Sequence, residues 1–348
     1  MKTWVVVDCA GATDARAMQE YMNAHKADKN IVYFVVTHPH HDHLSGFRSL
    51  ISSFTGNTAF EIKEFLQSRT FLPEREVDIR QGRTHNSQEA ALLDELLLDL
   101  NSTGYLNRVE IMRRRDPIMS IENDTFLYCV WPDYETSKTV QRRLERFAAN
   151  PDDGFGYLDI HDACLVLFFD ICTGGKEHLR IFLFGDANAS AQLASLDFLR
   201  NLIKDGMVEN IVKLSHHGSF EANPKEILGN IVAGKNGSTR AIITTSGKYR
   251  DHPHPDVLLY LYQSGARVYC TRYHRCCSTG KCGRRFSSSK RFPHGGTWGV
   301  DSLGQFIFNP FVLDPTTRIT VTIDCHSGRI ETNRVCHDEE RRYQCELR

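Results

Sequence analysis

One stretch constrains this chain more than any other: Ile31 to Phe47, reading IVYFVVTHPHHDHLSGF. Its first six residues are all β-branched or aromatic, and such a run suits a strand buried on both faces of a sheet. Thr37 ends the run, and His38, His40, His41, Asp42 and His43 follow within six residues. Pro39 fixes one φ and removes a donor between the first two histidines, which stiffens the loop. His38 and His40 are two apart, so in an extended segment they share one side and can meet one metal ion. Asp42 and His43 fall where the chain turns into the next helix, placed to hold a second ion nearby. Imidazole and carboxylate donors suit zinc, and also manganese or iron. The bland alternative is a polar loop with a chance histidine cluster. That density of donors directly after a buried strand argues against it.

The 348 residues allow one large domain or two ordinary ones. A net charge of −1 decides nothing about nucleic acid, because only local patches bind phosphates. No apolar run approaches a membrane span. The N-terminal WVVV is too short for a signal-peptide core and meets Asp8 at once. The expectation is a cytoplasmic protein with reduced thiols and no membrane partner. Of eleven cysteines, seven follow residue 269. Cys9, Cys129, Cys164 and Cys172 sit in or beside apolar strands and read as buried thiols.

Trp4 to Val7 predicts a short buried strand ending in Asp8, followed by a helix around Asp14 to His25. With the Ile31 strand this makes a βαβ opening and predicts parallel pairing. Asp8 is either a helix N-terminal charge or an acid at a strand end that orients a metal-bound histidine; the second is favoured. A helix is expected over Leu44 to Phe54, and a helical apolar face over Leu92, Leu93, Leu96, Leu97 and Leu100. His85 reads as a surface histidine in a polar loop, and Arg113 to Arg115 as a solvated turn, with substrate-phosphate binding the alternative. Thr125 to Trp131 is a strand, and Pro132 to Tyr157 a polar excursion with a helical centre.

His161 stands at the mouth of the next apolar strand, which runs to Phe169. Ile181 to Phe184 ends in Gly185-Asp186, and a leucine-faced helix follows, stopped by Gly206. Ile211 to Leu214 runs into Ser215-His216-His217-Gly218-Ser219. Helix 224–233, strand Ala241 to Thr245, a loop with His252 and His254, helix 256–264 and strand Arg267 to Thr271 complete the pattern. Six segments thus place Asp8, His38 to His43, His161, Asp186, His216/His217 and His252 at one expected edge of a sheet. Such convergence predicts a metal centre.

With His38, His40, Asp42 and His43 forming HxHxDH and Gly185-Asp186 a later GD, the chain resembles a metallo-β-lactamase-fold hydrolase. The order LFGD, LSHHGS, TTSGKYRDHPHPDVL and ARVYCT is similar to the hydrolase domain of ComEC competence proteins and soluble relatives such as phosphorylcholine esterases. The resemblance covers roughly residues 1 to 272 and implies an αββα sandwich. It implies His38 and His40 on one divalent ion, with His161 as third histidine, and Asp42 and His43 on another. Asp186 would lie between the two, and His217 would complete the second site, since the fold's usual form is a histidine directly before glycine. The sequence departs from that branch in lacking its DVGxGD-like hairpin and its transmembrane region, so DNA uptake is not implied.

Residues 273 to 348 read as a basic, Cys-rich extension with a closing strand over Thr317 to Asp324. Between Val257 and Val300 there are eight Lys/Arg and no Asp/Glu, and Arg284, Arg285, Lys290 and Arg291 are candidate phosphate contacts. His274, Cys276, Cys277, Cys282 and His294, with Cys270, Cys325, Cys336 and Cys345, offer donors for an additional structural zinc, without paired CxxC spacing. The leading expectation is a phosphodiesterase or nuclease with two zinc or manganese ions, acting on nucleic acid, DNA favoured. His216 and His252 would contact the phosphate or protonate the leaving oxygen, beside Asp42 and Asp186. A small-ester hydrolase (phosphorylcholine-type, cyclic nucleotide or lactone) and a non-catalytic nucleic-acid-binding module are the alternatives. A freestanding nuclease would also call for a regulatory protein partner.

Overall fold

The computed structural model describes residues 1–68, 84–121, 125–149, 158–173, 177–202, 207–232, 239–244, 252–264, 266–270, 297–300, 306–309, 318–324 and 329–335. It is a mixed α/β protein with two main sheets, consistent with the metallo-β-lactamase fold. The chain divides into two compact units, Met1–Ile121 with Tyr128–Val166, and Glu122–Leu127 with Leu167–Arg348.

In the first unit, β1 (Lys2–Val7), β2 (Asn30–Val36), β3 (Phe60–Gln67) and β4 (Asn107–Glu110) form one sheet in that order. All three pairings are parallel, as the βαβ opening requires. Helix α1 (Ala12–Ala24) joins β1 to β2. Ile31 and Tyr33 of β2 are half-buried, whereas Phe34, Val35 and Val36 are fully buried, so the continuous burial expected of this strand holds in its second half. A register shift against β3 falls between Val32 and Tyr33, where the pattern changes.

The expected helix over Leu44 to Phe54 is two helices, α2 (His41–Leu44) and α3 (Phe47–Phe54). Phe47, Leu50, Ile51 and Phe54 give α3 its buried stripe at helical spacing. Phe47 packs edge-on between Phe34 and Phe65, at ring-centroid distances of 5.7 and 5.4 Å. Each such buried ring contributes about 1.5–3 kcal/mol. Helix α4 (Thr84–Ser102) buries Leu93, Leu97 and Leu100 and half-buries Leu96, while Leu92 turns outward. His85 falls within this helix rather than in a loop. Arg113 is not a solvated turn residue: it pairs with Asp133 at 3.0 Å and lies over the Trp131 ring. β5 (Met119–Ile121), β6 (Thr125–Trp131), α5 (Tyr134–Ala149) and α6 (Leu158–His161) follow.

The second sheet has the order β11-β10-β9-β8-β7-β6-β5. β7 (Val166–Thr173) runs antiparallel to β8 (Glu177–Leu183). β9 (Met207–Lys213), β10 (Arg240–Ile243) and β11 (Arg267–Cys270) continue parallel to β8. The crossovers are α7 (Ala189–Leu202), α8 (Lys225–Val232) and α9 (Pro255–Gln263). Loops leaving β8, β9 and β10 therefore emerge at one edge, where open α/β sheets gather ligand groups. Two antiparallel pairs follow, β12 (Thr297–Val300) with β13 (Phe306–Asn309) and β14 (Arg318–Asp324) with β15 (Arg329–Val335). Arg284, Arg285, Lys290 and Arg291 lie outside the described residues, as do His274, Cys276, Cys277, Cys282, His294, Cys325, Cys336 and Cys345. Cys9, Cys129 and Cys164 are buried, but Cys172 is only half-buried. No helix among the described residues is long and apolar enough to cross a membrane.

Candidate metal centre

In the first unit, β2 delivers its last side chains into a short extended loop, with His40 at φ −72° and ψ 150° before α2 begins. His38 and His40 are buried, and His161 is buried beside them. His38 Nε2 lies 2.9 Å from His40 Nδ1, and His161 Nε2 lies 3.2 Å from that same atom. A tetrahedral zinc with ordinary Zn–N bonds holds its nitrogens about 3.3 Å apart. Three imidazole nitrogens turned on one point at nearly that spacing make a donor set that fits a divalent cation, and the group can hold one ion.

His161 reaches this point differently from the sequence expectation. It ends α6 rather than standing at a strand mouth, and β7 starts only at Val166. Two hydrogen bonds fix its segment: Trp131 Nε1 donates to the Asp162 carbonyl at 2.7 Å, and Leu165 N donates to the Thr37 carbonyl at 2.8 Å.

Asp8 organises the neighbouring histidines. Its backbone is left-handed, with φ 60°, a conformation that Asp tolerates better than most residues. Its carboxylate accepts from Thr37 N at 2.7 Å, Thr37 Oγ1 at 2.8 Å and His43 Nδ1 at 2.7 Å. With the proton held on Nδ1, His43 keeps a lone pair on Nε2, which lies 4.0 Å from Asp42 Oδ2, a separation one ion can span. Thr37 has spent its hydroxyl proton on Asp8, so its oxygen faces His38 Nδ1, 3.2 Å away, as an acceptor. That arrangement leaves His38 Nε2 the lone pair turned towards His40. Thr37 ends the apolar run, but its hydrogen-bonding role was not legible in the sequence. Its signal was a hydroxyl residue exactly at the joint between the apolar run and the histidines.

The α2–α3 break serves the same cluster. Cys9 N donates to the His43 carbonyl and Gly46 N to the Cys9 carbonyl, both at 2.8 Å. A Cβ on Gly46 would collide with Cys9 Sγ and stand 2.7 Å from the Gly11 carbonyl, so only glycine fits. Burial, then the charge of Asp14, pushes the Cys9 thiol up to about 12, which keeps it protonated and unsuited to bind metal.

In the second unit, Asp186 is buried just past β8. The turn after β9 is left-handed over three residues, at φ 44° for His216, 54° for His217 and 78° for Gly218. Each non-glycine residue held this way costs about 1–2 kcal/mol. Side-chain hydrogen bonds offset that cost. Ser215 Oγ donates to the Ala187 carbonyl at 2.5 Å. Asn223 Nδ2 donates to the carbonyls of Ser215 and Ser219, and Gln192 Nε2 to those of Ala187 and Ala222. Ser215, Gln192 and Asn223 also escaped the sequence reading, because their partners lie on other loops.

His216 N donates to the Gly185 carbonyl at 3.1 Å, so the His216 and Asp186 loops are joined. His217 Nδ1 donates to the Thr244 carbonyl at 2.7 Å, leaving Nε2 as a lone-pair donor. The His216 and His252 rings lie 5.0 Å apart, centroid to centroid. His252 does not end a strand: β10 closes at Ile243, and His252 stands just ahead of α9.

Residues 1–96 match the Metallo-beta-lactamase superfamily. The matched segment contains Asp8, His38, His40, Asp42 and His43. Members of that superfamily are mostly hydrolases that bind divalent metals, often zinc. The match and the histidine group together indicate a metal-dependent hydrolase. No curated protein matches the chain.

Proposed function

We propose that the protein is a binuclear metal-dependent phosphodiesterase acting on nucleic acid, DNA in the first place. In this reading His38, His40 and His161 would hold one zinc or manganese ion, Asp42, His43 and His217 would hold a second, and Asp186 would serve both. The observation that carries it is the convergence of three ring nitrogens at His38, His40 and His161. The fixed tautomers of His43 and His217 add support, since each leaves Nε2 as the donor. Divalent ions at such a site supply Lewis-acid activation of water and neutralise charge on the phosphoryl oxygens. Asp8 and Thr37 keep the ring nitrogens aimed, and His216 with His252 hydrogen-bonds the phosphate or gives the leaving oxygen its proton.

The sequence order shared with ComEC-type hydrolase domains favours a phosphodiester over other esters. The stretch Val257 to Val300, with eight Lys/Arg and no Asp/Glu, favours a polyanion. Residues 1–272 would then be the hydrolase, and 273–348 an extension that guides the strand. A cytoplasmic location and a restraining protein partner belong to the same reading. The test is metal analysis of the purified protein, with hydrolysis of DNA, RNA and bis(4-nitrophenyl) phosphate under Zn and Mn. Hydrolysis by wild type and its loss in His40→Ala are expected. No turnover of any phosphodiester with either metal would overturn the reading.

A further inference from the structure

The loop carrying His216 and the segment carrying His252 continue side by side past those two rings. His216 faces His252, Gly218 faces Pro253, and Phe220 faces His254. A Cβ on Gly218 would stand 3.0 Å from the Pro253 Cβ, so the close approach of the two segments depends on that glycine. His254 N donates to the Gly218 carbonyl at 2.9 Å, which locks the middle of this ladder.

The outermost pair differs in character from the inner one. Phe220 is 49% exposed, although its turn is held by Ser219 N on the His216 carbonyl and Asn223 N on the Ser219 carbonyl. Its ring lies 4.8 Å from that of His254, tilted by 46°. His254 is fixed in turn: Asp256 N donates to its Nδ1 at 3.2 Å, and its carbonyl accepts the amides of Val257 and Leu258 in α9. A rigid turn that holds an apolar ring half in water loses burial energy. What it gains is a preorganised π surface against the His254 imidazole.

We propose that Phe220 and His254 form a stacking platform for a planar ring of the substrate, beside the phosphate met by His216 and His252. The proposal rests on the phosphodiesterase reading and narrows its substrate to esters bearing a nucleobase-like ring. Stacking is tolerant of base identity, because every base has a π face. The platform therefore selects for a ring and not for a sequence.

Two esters with the same leaving group test it: thymidine 5′-(4-nitrophenyl phosphate) and methyl 4-nitrophenyl phosphate. Phe220→Ala is expected to lower kcat/KM for the thymidine ester by about 5- to 150-fold, through KM, and to leave the methyl ester nearly unchanged. Phe220→Trp should restore the loss. Equal losses on both esters, or none on either, would overturn the platform. Calorimetric binding of thymidine 5′-monophosphate and of inorganic phosphate, with Mn present, separates this from the parent reading. If wild type hydrolyses neither ester, the phosphodiesterase reading falls. A preference for the thymidine ligand that vanishes in Phe220→Ala would still uphold the platform, and no such preference would remove it.

Discussion

Replacing Asp8 by Asn changes one atom and reverses the role of one hydrogen-bond site. The carboxylate accepts three donors within 2.7–2.8 Å, and Oδ2 takes two of them, from the Thr37 hydroxyl and from His43 Nδ1. In Asp8→Asn the amide oxygen stays on Thr37 N, and an NH2 group stands where Oδ2 stood. Thr37 can rotate its hydroxyl and accept. His43 cannot adapt without moving its proton to Nε2, the nitrogen that would face an ion in the proposed site. Loss of one hydrogen bond to a charged group costs about 1.5–3 kcal/mol of stability, readable as a lower urea midpoint in EDTA. Loss of an orienting partner lowers metal affinity about 10- to 100-fold, readable by chelator competition. The left-handed backbone at residue 8 does not confound the result, because Asn tolerates it as well as Asp does. Thr37→Val is the contrast: it removes the link to His38 and leaves the Asp8–His43 bond. Wild-type zinc affinity in Asp8→Asn would refute the assignment of Asp8 as the residue that sets the His43 tautomer.

Four other outcomes are expected. His217→Ala should lower metal content, whereas His216→Ala should keep it and lose turnover; metal stoichiometry decides, and reversed results would exchange the two roles. Gly46→Ala should lose about 1–3 kcal/mol by overpacking, since its φ of −84° is ordinary and only space is lacking. Adding Cys9→Ala should recover only part of that, because the Gly11 carbonyl still obstructs. Burial pushes both Cys9 and Cys129 up to about 12, so at pH 8 both should resist iodoacetamide until the protein unfolds, as peptide mapping would show. Neutralising Arg284, Arg285, Lys290 and Arg291 together should weaken nucleic-acid binding and flatten its salt dependence by about 0.7–0.9 in log–log slope per lost contact. Turnover of a small bis-aryl phosphate should stay unchanged in that variant.

What could be read from the residues and what could not divide along a physical line. The apolar runs leading to Asp8, His38 and Asp186 were legible as strands, but the burial expected of the first was not: β1 is an edge strand in which only Val6 is buried. Strand β6 was read to the residue, over Thr125–Trp131. The break at Ser45-Gly46 was not legible, since it follows from packing on Cys9, far earlier in the chain. Nor was the position of His161, which depends on hydrogen bonds from Trp131 and Leu165 to parts of the fold that no local pattern encodes.

Local preference misleads most where the donors are. Among the described residues the non-glycine positions with positive φ are Asp8, His216 and His217. A reading by propensity would put glycine or asparagine in such places. The two histidines together store about 2–4 kcal/mol of backbone cost, and the hydrogen bonds of Ser215, Gln192 and Asn223 hold them against it. A turn made of glycines would avoid that cost, but it would carry no imidazole past the end of β9. The strain is concentrated on Asp8, which accepts from His43 and Thr37, and on two histidines that the proposed reading gives to metal and phosphate, as expected where chemistry overrides local fit.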